Sequence, residues 1–273
     1  MKRLVLAISL VSCIIIATHT SNAPGQTGPK PRLWQIVTEL RRCKFVDLTH
    51  AFEPGIPHWK GFPNEEREDL FTYGRDGFWA QRFTHVSQWG THVDPPAHFH
   101  KGLRTVDQIP PSDMILPLVV IDVSQEAATN PDFVLEEVHV RSWEGRYGVI
   151  PPNSFVAMRT DWSKRWPSQA KMQNTSDDGV AHYPGWSLTA LKLLIENRGV
   201  TAIGHETTDT DSGLNTSRGN YECESYVLKQ DRWQIELLTN LDQVPARGAI
   251  VVCGFPKPKN GSGFPARVFA ITR

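Results

Sequence analysis

The stretch FTHVSQWGTHVDPPAH, residues 83–98, places an amide, an imidazole and a carboxylate at alternate positions of one short segment. In an extended strand alternate residues share a face, so Gln88, Gly90, His92 and Asp94 would point to the same side. Gly90 has no side chain and would leave space between the three donors. The pattern therefore predicts a strand with one face that binds an ion or a small substrate.

Two prolines end this predicted strand at a fixed corner. Pro95 and Pro96 each remove a backbone donor, and the residue before each proline is held extended. His98 follows the corner and can turn back toward the same space. Donors on a stiff strand, with a further polar side chain on a rigid turn, are typical of a preorganised metal site.

A histidine near an aspartate also has a simpler explanation, because most buried polar groups are hydrogen-bonded to one another. Three donors on one face, followed by a histidine after two prolines, favour the metal site over this explanation. His85 has the opposite parity and is a weaker candidate. His100 stands beside Lys101 and is expected at the surface.

The segment GTHVDPPAH, residues 90–98, resembles the signature HxGTHxDxPxH of the cyclase-like metal hydrolases. The resemblance implies one mixed-sheet α/β domain of the swivelling β/β/α type over residues 32–273. It also implies a homo-oligomer, a dimer or a tetramer. The implied reaction is hydrolysis of the C–N bond of a small aryl-formamide or cyclic amide through metal-activated water. Four further segments resemble the same family: residues 47–57, 159–162, 182–186 and 235–241.

The chain departs from the family pattern at two ligand positions. The family has a histidine where this chain has Gln88, and a neutral amide oxygen shifts the preference from Zn²⁺ toward Mn²⁺. Dinuclear members hold a second metal with a histidine upstream of the residue that matches Glu236, but residues 221–225 contain Glu222 and Glu224 instead. A second ion bound by oxygens stays open. The resemblance favours one Mn²⁺ or Zn²⁺ ion, with the ligands Gln88, His92, Asp94 and, nearby, Glu236.

The residue left free for acid–base chemistry is His98. We expect it to accept the proton of water and to donate a proton to the leaving nitrogen. Small-molecule sites are mostly apolar with a few polar groups. The residues expected to contact substrate are Trp59, Trp89, Trp186 and His205, although each tryptophan is equally well explained as a core residue.

Two other function classes are compatible with the same residues. A non-hydrolytic metal-dependent cyclase or lyase would use the same ion. An exported metal-binding or ligand-binding protein without turnover is the other alternative, and it has no need for an unliganded base such as His98. Release of a carboxylate and an amine would distinguish the hydrolase from the cyclase or lyase.

The composition describes an ordinary globular protein. Lys+Arg and Asp+Glu are both 29 in 273 residues, so the formal charge is zero. A nucleic-acid-binding protein normally shows a basic excess, so the expected partner is a small molecule. Cys43, Cys223 and Cys253 lack CxxC spacing and are expected as buried thiols rather than as disulfides or zinc ligands.

Hydrophobic periodicity predicts a mixed α/β domain. An amphipathic helix is expected over residues 32–41, and a second helix over residues 188–197, with Ser187 as its cap and Gly199 at its end. Short apolar runs predict buried strands over residues 118–123, 154–159, 200–204, 249–253 and 267–272.

The first residues have the pattern of a signal peptide over residues 1–23, with an uncertain cleavage site. The apolar run from Leu4 to Ala17 is shorter than the ~20 residues that span a bilayer, so stable membrane insertion is not expected. A periplasmic or secreted protein is predicted. Cys13 lies in a sequence similar to a lipoprotein box, and a lipid anchor there is the minor alternative.

Overall fold

The computed structural model describes residues 31–273, so the predicted signal peptide and Cys13 lie outside the described residues. The described residues divide into two units, residues 31–40 and residues 41–273. The described part of the first unit is the helix α1, Arg32–Leu40, which confirms the amphipathic helix predicted over residues 32–41. No helix in residues 31–273 has both the length and the apolar character needed to cross a membrane.

The second unit is a mixed α/β structure. Its strands within the described residues are β1 Lys44–Asp47, β2 Glu66–Phe71, β3 Ala80–Thr84, β4 His92–Asp94, β5 Ile115–Asp122, β6 Val134–Leu135, β7 Phe155–Arg159, β8 Gly185–Trp186, β9 Ala202–His205, β10 Trp233–Glu236, β11 Ala249–Gly254, β12 Phe264–Pro265 and β13 Arg267–Thr272. Its α-helices there are α2 Tyr73–Asp76, α3 Ser124–Thr129, α4 Glu137–Tyr147, α5 Gln169–Gln173, α6 Leu188–Lys192, α7 Gly213–Thr216 and α8 Glu222–Lys229.

The main sheet has nine strands among the described residues, in the order β1-β13-β11-β5-β7-β9-β10-β4-β12. The central strands β5, β7, β9 and β10 are parallel, and the strands on both sides pair antiparallel. A bridge between Thr49 and Leu238 joins the chain just after β1 to the chain just after β10, although five strands separate β1 from β10. The sheet is therefore strongly curled.

Each face of the sheet packs against its own hydrophobic core. On β5, Leu118 and Val120 belong to one core and Val119 and Ile121 to the other, as the two-residue period of a strand requires. The first core collects residues from strands across the curled sheet, including Val46, Ile235 and Val268. The second core lies under α4, α6 and α8, and includes Val140, Leu191 and Val227.

The predicted helix over residues 188–197 is confirmed in position. The Ser187 hydroxyl accepts a hydrogen bond from the backbone N–H of Ala190 at 3.1 Å, which caps α6. After Lys192 the helix continues in π-helical form from Leu193 to Asn197, and Gly199 follows with a φ of 66°. The predicted strands are confirmed as β5, β7, β9, β11 and β13, with ends shifted by a few residues.

The hairpin formed by β2 and β3 was not predicted. Its two strands make a separate sheet, with α2 in the connection between them. The sequence of β2, EREDLF, lacks the alternation of apolar and polar residues that signals a half-buried strand. Its burial pattern explains why, because nearly every residue of β2 is exposed.

Candidate metal centre

The centre is built where β4 pairs antiparallel with β10. In this register His92 lies opposite Glu236, and Asp94 lies opposite Gln234. His92 Nε2 is 3.4 Å from Asp94 Oδ2 and 3.6 Å from Glu236 Oε2. One ligand atom from each of the three residues lies within 4.8 Å of the other two, and all three side chains are buried. A single cation can therefore contact all three.

His92 is oriented as a metal ligand should be. Its Nδ1 lies 2.8 Å from the carbonyl oxygen of Gly90, so Nδ1 carries the proton and donates it to that carbonyl. Its Nε2 is buried and has no hydrogen-bond partner among the described residues. Metal-bound histidines commonly anchor the second ring nitrogen in this way, so the residues present fit a divalent cation.

More buried carboxylates surround this point than the three ligands require. The amide nitrogen of Gln234 lies 3.3 Å from Asp94 Oδ2, 3.2 Å from Glu224 Oε1 and 3.1 Å from Glu236 Oε1. Burial and the neighbouring carboxylates raise the pKa of Glu224 and of Glu236 well above the ordinary value. One neutral amide does little to offset the repulsion among three carboxylates, and a cation would relieve that repulsion.

His92 and Asp94 each shift the pKa of the other at the centre. Burial by itself would raise the pKa of the Asp94 carboxyl, but His92 and His98 outweigh it and lower that pKa. Burial by itself would lower the pKa of His92, but the nearby Asp94 carboxylate and the Gly90 carbonyl raise it overall. Asp94 is thus held as an ionised ligand.

Gln88 reaches the centre by a different path from the predicted one. The extended strand covers only residues 92–94, and Gly90 has a φ of 63°, so the expected strand from residue 88 is wrong. The turn at Gly90 brings Gln88 Nε2 to 3.2 Å from Asp94 Oδ1 and 2.9 Å from the Ser262 carbonyl. Its amide oxygen accepts from Ser87 instead. Coordination through oxygen requires the amide to exchange its oxygen and nitrogen positions.

His98 lies on the turn that the two prolines produce, a 3₁₀ helix over Pro96–His98. Its Nε2 is 3.9 Å from Glu224 Oε1, and its Nδ1 is 3.3 Å from Gln88 Nε2. The side chain is 23% exposed, unlike the fully buried ligands. His98 therefore stands between the buried carboxylates and the opening of the cavity.

The cavity beside the centre has a volume of about 220 Å³. Its wall is largely aromatic and contains Trp59, Phe62, Phe99 and Tyr221. The indole N–H of Trp59 donates to the Tyr221 hydroxyl at 3.2 Å, which ties the two sides of the wall together. This shape suits a small flat molecule with a polar group directed at the centre.

The structure places two of the predicted substrate residues, Trp89 and Trp186, outside the cavity lining. Trp89 is completely buried, and its indole N–H donates to Glu65 at 3.1 Å. Trp186 belongs to the second hydrophobic core, in β8 next to Leu135 of β6. Neither is among the described residues that line the cavity. Both are core tryptophans, the alternative that the sequence left open.

His205 is another predicted substrate residue that the structure places outside the cavity lining. It is fully buried at the end of β9, with Nε2 3.3 Å from Glu236 Oε1. Burial lowers the pKa of His205 to about 3, so the ring is neutral. The histidine thus contacts Glu236, which lines the cavity, without lining the cavity itself.

The polar loop after β9 contributes Thr208 and Asp209 to the cavity. Asp209 lines it and accepts hydrogen bonds from Tyr183 at 2.6 Å and from Thr208 at 2.9 Å. Burial raises the pKa of Asp209 to about 7. Asp211 accepts the backbone N–H groups of Cys223 and Glu224, so it fixes the start of α8.

Gln234 was missed at the sequence level. It shares its strand face with Glu236, two residues on, which is the one signal that would have pointed to it.

The peripheral histidines and thiols also differ in part from expectation. His100 was expected at the surface but is half-buried, and its ring lies 2.8 Å from the Ser225 carbonyl. Cys43 was expected to be buried but is also half-buried. Cys223 and Cys253 are buried free thiols, as predicted.

Comparison with known proteins assigns the chain to a family. A family described as putative cyclase matches residues 46–212. The chain belongs to the cyclase family. The isatin hydrolase of Roseibium aggregatum is 30% identical over 240 residues, which cover 83% of this chain and 90% of that one.

Solved structures agree with this cyclase-family assignment. Isatin hydrolase A from Ralstonia solanacearum has a TM-score of 0.83 and 33% identity, with 91% of this chain and 100% of that chain covered. Isatin hydrolase A from Labrenzia aggregata, solved with benzyl benzoate bound, has a TM-score of 0.82 and 33% identity, with 89% and 99% covered. The mixed α/β cyclase-like fold predicted from sequence is confirmed.

The reaction class follows from the same relationship. The prediction of a metal-dependent hydrolase that cleaves an amide bond of a small molecule is confirmed, and a candidate metal site is present at His92, Asp94 and Glu236. The cyclase or lyase and the binding protein without turnover are not favoured by these cyclase-family relatives.

Proposed function

We propose that this enzyme hydrolyses the C–N bond of a small aromatic amide, either an aryl-formamide or a cyclic amide of the isatin type. The observation that supports this most directly is the buried group of His92, Asp94 and Glu236, which faces an aromatic cavity with His98 beside it. The relatives named isatin hydrolase support the cyclic amide as the first substrate to test.

We assign the cation to His92, Asp94 and Glu236, with Gln88 as a fourth ligand through its amide oxygen. When bound, a divalent cation supplies a nucleophile by lowering the pKa of water from 15.7 to about 7, and it polarises the scissile carbonyl. One imidazole among oxygen donors favours Mn²⁺ over Zn²⁺. One ion is proposed, and Glu224 and Asp209 are the oxygens available to a second.

The proposed acid–base group is His98. It accepts the proton of the attacking water and returns it to the leaving nitrogen, which avoids release of an unstable amide anion. The base form needs its lone pair on Nε2 and its proton on Nδ1. Nδ1 lies against the amide of Gln88, so an amide that presents its oxygen there would accept this proton. The same orientation turns the amide oxygen toward Asp94 and the cation.

The aromatic wall orients the substrate. Trp59 and Phe62 lie on one segment, and Phe99 and Tyr221 on two others, so a flat ring would be held between segments. Such a wall also excludes water from the reacting carbonyl, which strengthens the electrostatic effect of the charged groups. Trp59 is the predicted substrate residue that keeps its role in this proposal.

The test is a panel of amides assayed with the Mn²⁺-loaded protein. Isatin and N-formylkynurenine represent the cyclic amide and the aryl-formamide. Hydrolysis of the first opens the ring to one molecule that carries an amine and a carboxylate, and hydrolysis of the second releases formate. Ring closure or elimination, with no new carboxylate, would contradict the proposal and favour the cyclase or lyase.

We also propose that the enzyme is exported to the periplasm or secreted. The support is the sequence of residues 1–23, with a basic start and an apolar run. The mass of the mature N-terminus measures this directly. Loss of residues 1–23, or of a few more or fewer, is expected, and a lipid on Cys13 would show the minor alternative.

A further inference from the structure

The amide of Gln234 lies among three buried acids that come from three different elements. Its nitrogen is 3.3 Å from Asp94 Oδ2 on β4, 3.2 Å from Glu224 Oε1 on α8 and 3.1 Å from Glu236 Oε1 on β10. The side chain of Gln234 is completely buried. An amide nitrogen carries two hydrogen atoms and meets carboxylate oxygens only as a donor. Three acids therefore share the two N–H bonds of one neutral side chain.

The hydroxyl group of Thr210 fixes the orientation of this amide. It donates to Gln234 Oε1 at 2.7 Å, and Thr210 is completely buried as well. The opposite orientation would direct the amide oxygen, an acceptor, at three carboxylates that also accept. Buried acceptors that face one another are costly, so the nitrogen faces the acids and the oxygen faces Thr210.

Two neighbouring strands hold Gln234 in place. It lies opposite Asp94 in the pairing of β10 with β4, and beside Ile203 in the pairing of β10 with β9. Glu236 is two residues further along β10, so its side chain shares a face with that of Gln234. A strand paired on both sides cannot shift without breaking two ladders of hydrogen bonds. The amide is therefore a fixed part of the centre.

The two carboxylate oxygens of Glu236 have different surroundings. Oε2 lies 3.6 Å from His92 Nε2, where we assign the cation, and Oε1 lies 3.1 Å from the Gln234 nitrogen. Glu224 also meets this amide, but it does not belong to the group of three residues whose ligand atoms lie within 4.8 Å of one another. The assigned cation and the amide thus take neighbouring places between the same carboxylates.

We infer that Gln234 limits the centre to one cation, because its amide nitrogen stands where a second cation would have to bind. The inference rests on the metal centre of the proposed function. Two-metal sites place their ions about 3.5–4 Å apart, so both ions contact the same few ligands. An ion in place of the amide nitrogen would share Asp94 and Glu236 with the first ion and would gain Glu224. The N–H₂ group fills that place, offers no lone pair to a metal and adds no charge.

The first experiment counts the Mn²⁺ ions bound by the chelated full chain, by calorimetric titration and by metal analysis of the desalted protein. The variant Gln234→Glu keeps the shape of the side chain but replaces the N–H₂ group by a carboxylate oxygen, which adds a ligand and a negative charge. Wild type should bind about one ion per chain and Gln234→Glu about two. The control Gln243→Glu makes the same change at an exposed position and should bind one ion.

The second experiment removes only the hydroxyl group of Thr210, a positioning residue that acts on the metal through Gln234. In Thr210→Val the amide is free to turn and to offer its oxygen to a second ion, which should bind more weakly than the first. Thr210→Ser keeps the hydroxyl group and should bind one ion, as wild type does. A purely structural role of Thr210 would weaken binding of the first ion and add no second one.

The number of bound ions decides the inference. Two ions in wild type would overturn it, and so would one ion in Gln234→Glu. If circular dichroism shows that Gln234→Glu does not fold, one ion in Thr210→Val would overturn it instead. A wild type that binds no Mn²⁺ would contradict the metal centre and the inference together. One ion in wild type and two in Gln234→Glu would support the inference even if no amide were hydrolysed, and that result would contradict only the proposed reaction.

Discussion

At the level of single residues, the centre holds more negative charge than its own surroundings neutralise. Asp94, Asp209, Glu224 and Glu236 are all buried around one cavity. The described residues that line this cavity include no lysine or arginine. Buried carboxyl groups are costly unless they are paired, so four of them with histidines but no lysine or arginine in the described lining indicate a cation as the missing component.

The substitution His98→Ala tests whether His98 acts as the base and not as a metal ligand. The variant should bind the cation as wild type does, because His98 lies outside the group of His92, Asp94 and Glu236. Its kcat should fall by ~10²–10⁴, the usual effect of losing an acid–base group. The check is steady-state hydrolysis together with metal content.

The control for this variant is His139→Ala, a half-buried histidine in the first turn of α4 that does not line the cavity. It should leave kcat and metal content unchanged. Addition of imidazole should restore part of the lost rate to His98→Ala, which a purely structural defect would not allow. Turnover of His98→Ala at the wild-type rate would show that the proposed role is wrong.

Individual site residues could be predicted only where local chain geometry decides them. His92 and Asp94 share a strand face, and Pro95 and Pro96 turn the chain before His98, as expected. Trp186 could not be placed in this way, because whether a tryptophan faces a core or a cavity depends on neighbours distant in sequence. Gln88 reached its position through a left-handed glycine rather than through the extended strand that its parity suggested.

At the level of elements, a half-buried ion pair joins α4 to the turn that follows the π-helical end of the α6 helix. Glu144 near the end of α4 accepts two hydrogen bonds from the guanidinium of Arg198, at 2.6 and 3.0 Å, and one from the backbone N–H of Ile150 at 3.1 Å. The Arg198 hydrogen bond is the main cause that lowers the pKa of Glu144 below its ordinary value.

The substitution Glu144→Gln should lower the free energy of unfolding by about 1.5–3 kcal/mol near neutral pH, the range for hydrogen bonds to charged groups. Because the pKa is lowered in the folded protein, this stabilisation is complete above the unfolded pKa of about 4.3 and is lost as the pH falls through the folded value. The difference between wild type and variant should therefore shrink as the pH is lowered below ~4.

Urea unfolding of both proteins over a series of pH values measures this difference. The variant Glu137→Gln is the control, since Glu137 forms an exposed pair with Arg141 on the same helix and should change stability little. A difference for Glu144→Gln that stays constant or grows on acidification would contradict the assignment.

Elements with a strong local pattern could be predicted, and elements without one could not. The apolar runs of β5, β7 and β11 and the capped helix α6 carry their own signals. The hairpin of β2 and β3 does not, because its residues are exposed and charged.

At the level of the whole molecule, the curl of the sheet and its strand order create the centre. His92 and Glu236 are far apart in the sequence and meet only because β4 pairs with β10 at the carboxyl end of the parallel strands. The sequence predicts strands and a mixed α/β class but not this order. Glu236 was placed near the other ligands through a family resemblance, and the register of two strands explains why it belongs there.

The most direct test is calorimetric titration of Mn²⁺ into the chelated protein. Wild type should bind about one ion per chain, in keeping with a single group of converging ligands. The variant Asp94→Asn, which removes one buried charge, should lose binding at the same concentrations, while the exposed control Asp69→Asn should bind normally. Wild-type affinity and stoichiometry in Asp94→Asn would contradict the assignment of the metal centre.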